Sequence, residues 1–144
     1  MVVDLCTRAG LESVILSRDR DIERDYHRIL KRDQSYSIVF ENPSSTRTIR
    51  VPVHYYRGDT DESAVQLLAA GDVTLITTSV RKDNLPAIAP LLARAIDRRS
   101  ADAGHLCILA CENFLQNSIC LKKYVEVHLS PDAKLRLRDR VFFL

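Results

Sequence analysis

Three short polar segments directly follow apolar runs that predict buried strands. They are Ser17-Arg18-Asp19, Thr77-Thr78-Ser79-Val80 and Ala110-Cys111-Glu112-Asn113. In an open parallel sheet, ligands bind beyond the carboxyl ends of the strands. Hydroxyl, amide and backbone N–H groups at such an edge are the lining that phosphates and ribose hydroxyls require. The three segments are therefore candidate contacts for a cofactor that carries phosphates and ribose.

The elements that position these segments alternate between strand and helix. Buried strands are predicted at residues 13–17, 73–77, 105–110 and 141–144. Helices are predicted at residues 19–33, 59–70, 84–99, 114–128 and 132–139, and residues 1–10 have the pattern of the second half of a helix. This alternation predicts an α/β fold with a parallel sheet and helices on both of its faces.

A β-hairpin is predicted between the helices at residues 19–33 and 59–70. Its strands are residues 36–41 and 46–55, joined by Asn42-Pro43-Ser44-Ser45. Pro52 in the second run predicts an edge strand, because proline cannot donate to a ladder. In the helix at 84–99, Asn84 is the predicted cap. Pro90 is expected to bend that helix without ending it, because the apolar stripe continues past the proline.

Composition bounds the class of protein and its partners. A length of 144 residues favours one domain, and the net charge of +2 gives no reason to expect nucleic acid or a polybasic membrane contact. No apolar run approaches the roughly 20 residues of a membrane helix, and the first residues do not have a signal-peptide pattern. We therefore expect a cytoplasmic protein.

The cysteines show no metal-site spacing. Cys6, Cys107, Cys111 and Cys120 contain no CxxC pair, and in a chain without a leader they are expected to be reduced and mostly buried. His105 is close to Cys107, but no second pair completes a tetrahedral site. A core cysteine is the favoured interpretation of Cys107, and no bound metal is expected.

Three stretches, at residues 72–80, 85–96 and 108–125, resemble the amino-terminal domain of the mannitol-1-phosphate dehydrogenases, which are long-chain mannitol dehydrogenases. The most specific part is the turn at 110–113, followed by Asn117-Ser118 and Leu121-Lys122. The resemblance implies a Rossmann-type domain of an oxidoreductase. Such an enzyme passes hydride between NAD or NADP and a sugar alcohol or its phosphate, while mannitol phosphate, free mannitol and uronate-derived polyols all remain open as the substrate.

The resemblance also implies roles for individual residues. Asn113 lies by position near the nicotinamide and polarises the reacting oxygen, as an uncharged amide donor can. Glu112 and Asn117 are expected to support the site or to contact ribose. The cofactor channel would be lined by Thr77, Thr78, Ser79 and Val80. An alternative role for Asn113 is a helix cap, because helix 114–128 would start directly after it.

The cofactor type depends on the end of the first strand. The family commonly has an acid there, whereas this sequence has Ser17 followed by Arg18. A hydroxyl and a guanidinium can both donate hydrogen bonds to a 2′-phosphate, so these residues favour NADP over NAD. A shift of two residues would instead place Asp19 as an NAD-type acid, and a plain helix start with a solvated arginine is a further alternative.

Two parts of the family pattern are not found in the sequence. The GxGxxG turn would fall before Met1, and the family's catalytic lysine belongs to a second, helical domain. We therefore expect residues 1–144 to form a single partial dinucleotide-binding domain that lacks the first βα unit and is inactive by itself. Strands 13–17 and 73–77 are then expected to flank a gap or to pair directly. The alternative function is a non-catalytic nucleotide-binding or regulatory remnant.

Overall fold

The structure of the chain is a computed structural model that describes residues 2–19, 28, 31–42 and 45–144. The chain divides into two compact units, residues 1–57 and residues 58–144. Each unit contains a three-stranded sheet together with helical segments. The predicted α/β class is confirmed. In the described part of the chain, no helix is long and apolar enough to cross a membrane.

The first unit is built around a β-hairpin. Its elements are α1 (Val2–Arg8), β1 (Ile15–Arg18), β2 (Ser35–Asn42) and β3 (Ser45–Tyr56). β2 pairs with β3 in antiparallel fashion and β1 pairs with β3 in parallel fashion, so the predicted hairpin is confirmed. The middle of its turn and most of the helix predicted at 19–33 lie outside the described residues, although residues 28 and 31–33 are helical.

Pro52 lies on the middle strand of this sheet, because the strand order is β1-β3-β2. The predicted edge position is therefore wrong. Pairing with β2 runs as far as Pro52, opposite Ser35, and pairing with β1 begins one residue later, where Val53 is opposite Ile15. The missing N–H of the proline thus falls at the end of both ladders, where its absence costs little.

The second unit is a parallel sheet packed against helices. Its elements are α2 (Glu62–Ala69), β4 (Leu75–Thr78), a 3-10 turn (Lys82–Asn84), α3 (Leu85–Arg98), β5 (Leu106–Ala110), α4 (Asn117–His128), α5 (Pro131–Arg140) and β6 (Val141–Phe143). The strand order is β4-β5-β6, and both pairings are parallel. The strands and the parallel sheet predicted for this part of the sequence are confirmed.

Short polar side chains determine where the helices of the second unit begin. The Asp61 carboxylate accepts from two backbone N–H groups in the first turn of α2, and Ser130 Oγ accepts from Ala133 N–H in α5 at 3.2 Å. Asn84 occupies the predicted cap position of α3, but its side chain does not cap the helix. Its Nδ2 donates instead to Val80 O at 2.5 Å, so the capping role was wrong and the asparagine orders the preceding turn.

The core of the second unit lies between the helices and one face of the sheet. Leu106, Ile108 and Ala110 of β5 are buried, whereas the alternating Cys107 and Leu109 are only partly buried. α3 continues through its internal proline, as predicted, and carries buried positions on both sides of it. The helices and β6 contribute Leu85, Ala89, Leu92, Ala93, Ile96, Leu121, Val125, Leu129, Ala133 and Val141 to the same core.

The four cysteines are free, and none of them is fully buried. Cys111 is exposed, and Cys6, Cys107 and Cys120 are partly exposed. The prediction that they are mostly buried was therefore wrong. Cys107 is the instructive case, because strand alternation places it on the face of β5 that is opposite to the helix-covered core.

The strands predicted at 13–17 and 73–77 belong to different sheets. β1 pairs with β3 in the first unit, and β4 pairs with β5 in the second. Direct pairing between β1 and β4, one of the two expected outcomes, does not occur among the described strands. Each strand obtains a hydrogen-bonded neighbour inside its own unit.

Arg99 connects the loops at the amino-terminal edge of the parallel sheet. The residue is 6% exposed, and its guanidinium donates to Ala70 O at 2.6 Å, Val73 O at 2.8 Å and Gly104 O at 3.1 Å. Burial lowers the pKa of the guanidinium from its ordinary value, and the Asp72 carboxylate acts in the opposite direction. The planar guanidinium group thus holds the two loops that precede β4 and β5 against the end of α3.

Replacement of Arg99 by lysine is expected to lower the free energy of unfolding by about 1–3 kcal/mol, because a single ammonium nitrogen cannot reach all the carbonyl groups that the guanidinium contacts from two nitrogens. Urea unfolding followed by circular dichroism measures the change. The matched control is Arg94→Lys in α3, which alters an exposed ion pair with Glu62 of α2 and should cost less than about 0.5 kcal/mol. Equal effects of the two variants would contradict the role of Arg99.

Candidate functional site

The candidate site lies at the edge of the parallel sheet where β4 and β5 end. Thr78, the last residue of β4, is paired with Ala110, the last residue of β5. One residue further on, Cys111 N–H donates to Thr78 O at 3.0 Å. The polar segments 77–80 and 110–113 therefore leave the sheet side by side, so the structure brings these two candidate segments together.

A buried carboxylate joins the two segments. Glu112 is 8% exposed, and its Oε1 accepts from Thr78 Oγ1 at 3.0 Å and from Val80 N–H at 2.9 Å. Its Oε2 also lies 2.9 Å from Thr78 Oγ1. Thr78 is itself only 5% exposed. The carboxylate thus accepts from two protein donors, with the one Thr78 hydroxyl proton close to both of its oxygens, which offsets the cost of removing the carboxylate from water.

Two side chains in the first turn of α4 hold the segment after β5 from the other side. Asn117 Nδ2 donates to Glu112 O at 2.8 Å, and Ser118 Oγ accepts from Ala110 N–H at 3.0 Å. Ser118 is 4% exposed. Sequence reasoning gave Ser118 no role of its own. The signal was its place on the buried stripe of α4, three and seven residues before buried apolar positions.

Asn113 lies in the turn between β5 and α4, and its side chain is exposed. α4 begins at Asn117 and its N-cap residue is Gln116, so the alternative that Asn113 caps this helix is wrong. The intervening turn is needed for Asn117 to reach back to Glu112. Within the described part of the chain, the Asn113 amide has no hydrogen-bond partner, and its two N–H donors remain available to a ligand.

The other candidate residues after β4 differ in exposure. Thr77 and Ser79 are exposed on either side of the buried Thr78. Further along the same turn, the Lys82 ammonium lies 5.4 Å from the ring centroid of Phe114. This cation–π contact is a second connection between the turn after β4 and the turn after β5.

Ser17 and Arg18 lie in the first unit, at the end of β1. Ser17 is partly buried and Arg18 is exposed. The neighbouring Asp19 donates its N–H to Tyr56 O at 2.7 Å, and its carboxylate forms an ion pair with Lys31. The acid that would otherwise replace Ser17 as a ribose contact is therefore already neutralised by a lysine.

A concavity of about 590 Å³ lies beside β6. It is lined by residues 141–144 and by Lys122, Glu126, Lys134 and Arg138. Lys122 and Glu126 form an ion pair at 3.8 Å. The concavity shares no residue with the strand-end site. Among the described residues, no group of three His, Cys, Asp or Glu side chains could hold a metal ion.

Two non-glycine residues of the second unit have positive φ angles. Arg81 has φ 70° and ψ 146°, in a region that is essentially restricted to glycine, and Gln116 has φ 57° and ψ 31°. Arg81 follows β4 and Gln116 directly precedes α4. Backbone strain of this kind collects at ligand sites, and here it lies in the two turns that carry the candidate residues.

A family model for the mannitol dehydrogenase Rossmann domain matches residues 18–144 of this chain. The chain is also similar to several curated proteins named mannitol-1-phosphate 5-dehydrogenase. It is 27% identical to the protein of Aureobasidium melanogenum over 99% of this chain and 36% of that protein. It is 28% identical to the Geobacillus thermodenitrificans protein over 86% of this chain and 32% of the relative. For the Aspergillus niger protein, identity is 30% over 99% of this chain and 35% of the relative. The chain thus spans about a third of the length of these relatives.

Replacement of Arg81 by glycine is expected to raise the free energy of unfolding by about 1 kcal/mol. The relief of roughly 1–3 kcal/mol of backbone strain in the folded state exceeds the free-energy cost of the greater conformational entropy that glycine gives the unfolded chain. Urea unfolding measures the change. Lys134→Gly, which removes a similar side chain from an ordinary helical position in α5, should instead lower stability by about 1 kcal/mol. A loss of stability in Arg81→Gly would show that its backbone is not strained.

Proposed function

Because the chain belongs to the family of mannitol dehydrogenase Rossmann domains, we propose that it binds a nicotinamide dinucleotide as part of an oxidoreductase. The enzyme would pass hydride between NAD or NADP and a sugar alcohol or its phosphate. The observation that carries the proposal is the family match over residues 18–144, combined with polar turns at the carboxyl ends of β4 and β5. This is the edge where parallel sheets bind such cofactors.

In the second unit, Asn113 is the residue proposed to act on the reacting oxygen. Its exposed amide has two N–H donors without a partner in the described part of the chain. Such a donor stabilises negative charge as it develops on a substrate oxygen. The bound nicotinamide would supply the hydride chemistry. The segment from Thr77 to Val80 is proposed to line the channel that holds the nicotinamide.

In the first unit, Ser17 and Arg18 are proposed to contact the adenosine ribose. Arg18 is exposed, while the Asp19 carboxylate is neutralised by Lys31. A guanidinium and a hydroxyl both donate hydrogen bonds to a 2′-phosphate, and a neutralised acid does not repel one. These charges support NADP as the preferred cofactor.

The substrate class proposed for the whole protein is a polyol phosphate. The similar curated proteins are named for mannitol-1-phosphate, which favours the phosphorylated polyol over a free one. The chain spans about a third of those relatives, and the proton-transferring group is not assigned to any residue of these 144. Lys122 and Lys123 lie on α4, outside the strand-end site, and no role in the reaction is proposed for them.

Titration of the chain with NADH and NADPH, followed by cofactor fluorescence, tests the proposal. We expect saturable binding with a dissociation constant of about 0.1–1 mM, because the sequence contains no GxGxxG turn to hold the pyrophosphate. Ser79→Tyr should weaken binding at least tenfold by filling the strand-end edge. Ser100→Tyr is the matched control, because it adds the same ring at an exposed position before β5. Absence of saturable binding by the wild-type chain, or equal losses in both variants, would overturn the proposal.

The preference for NADP is tested by removing the charge of Arg18. Arg18→Ala is expected to weaken NADPH binding about tenfold and to leave NADH binding within about twofold, because only NADPH carries the 2′-phosphate. Arg32→Ala removes the same charge from an exposed ion pair in the first unit and should change neither affinity by more than about twofold. Parallel losses for both cofactors in Arg18→Ala would contradict the assignment.

A further inference from the structure

We propose that Glu112 is a positioning residue that fixes the turn after β4 and the turn after β5 against each other, and that it does not itself contact the ligand. The inference rests on the proposed function, because the two turns carry the residues assigned to the nicotinamide side. Of the two roles expected for Glu112 from the sequence, support of the site or contact with ribose, it assigns the first. Its consequence is that cofactor contacts on one turn and Asn113 on the other depend on a single carboxylate.

The hydrogen bonds of Glu112 all point inward. Its carboxylate accepts from Thr78 Oγ1 and Val80 N–H, and its backbone carbonyl accepts from Asn117 Nδ2 and from Phe114 N–H at 2.9 Å. The residue is 8% exposed. Four donors from two separate segments therefore converge on one residue, and little of its surface is left for a ligand.

Asn113 is held in place through its neighbours. Its own side chain has no partner in the described part of the chain, so its position is determined by the backbone on either side. On the side before Asn113, the carboxylate of Glu112 is held by Val80 N–H. On the side after it, Asn117 holds the turn by donating to Glu112 O. Loss of the Glu112 carboxylate would release the turn after β4 and would free Asn113 to change its orientation.

The chemistry of the connection predicts which substitutions preserve it. A glutamine at position 112 keeps an oxygen to accept from Val80 N–H, and its amide can donate to Thr78 Oγ1, which has lone pairs to accept. Alanine removes both interactions and leaves Val80 N–H without its acceptor. A positioning residue should therefore be rescued by glutamine, whereas a residue that acts on the ligand through its negative charge should not.

Amide hydrogen exchange of the 144-residue chain, measured by NMR, tests the connection without any ligand. In Glu112→Ala, exchange at Val80 is expected to accelerate about tenfold or more, because its N–H loses a charge-assisted hydrogen bond. In Glu112→Gln it should stay within about threefold of wild type. Ser130→Ala is the matched control, because it removes the partly buried hydrogen bonds of Ser130 Oγ with Ala133 N–H and Asp97 at the start of α5. This variant should leave the ratio of the Val80 exchange rate to the exchange rates of core amides unchanged.

Cofactor titration of the same variants measures the effect on the site. Glu112→Ala is expected to weaken NADPH binding about tenfold, Glu112→Gln to restore it to within about threefold, and Ser130→Ala to leave it unchanged. An affinity lost equally in the alanine and glutamine variants, with Val80 exchange normal in glutamine, would overturn the proposal and identify Glu112 as a direct charge contact. An equal loss of NADPH affinity in Ser130→Ala would also overturn the proposal, because it would show that the affinity falls with the overall stability of the chain.

The two readouts separate this inference from the proposed function. Unchanged Val80 exchange in Glu112→Ala counts against the positioning role alone, because exchange involves no cofactor. Failure of the wild-type chain to bind either cofactor counts against the proposed function alone. Accelerated exchange together with a glutamine-rescued affinity supports both.

Discussion

A buried carboxylate has to be surrounded by hydrogen-bond donors, and this requirement organises the second unit of the chain. The Glu112 carboxylate replaces its lost water with Thr78 Oγ1 and Val80 N–H. Because Thr78 ends β4 and Glu112 follows β5, the donors are in reach only when the two parallel strands end in register. The turns that follow are then fixed close together. The exposed amide of Asn113 and the exposed hydroxyls beside Thr78 are left at the rim of that edge.

Much of the second unit could be predicted from its sequence, because its strands are short apolar runs separated by amphipathic helices. β5 is a continuous apolar run, and such runs are typical of a parallel sheet. The rule that ligands bind at the carboxyl ends of strands selected residues 77–80 and 110–113 without knowledge of the structure. The structure places these segments side by side.

Other features depend on pairing and register, which a local pattern does not contain. Glu112 and Thr78 are 34 residues apart, and nothing in either segment alone indicates that a hydroxyl and a carboxylate meet. Pro52 was assigned to an edge because proline cannot donate, yet it lies where pairing changes from β2 to β1. The start of α4 was placed three residues early, since Asn113 has the residue type of a cap while Asn117 makes the contact back to Glu112.

The central claim is that the dinucleotide binds at the edge formed by the turns after β4 and β5. NMR chemical-shift mapping of the chain with saturating NADPH tests it most directly. The account predicts that shifts in the second unit concentrate at the backbone amides of residues 78–81 and 111–117. Shifts concentrated instead around Lys122, Lys134 and Arg138, beside β6, would contradict it, because they would show that the anionic cofactor is attracted to the basic concavity and not to the strand ends.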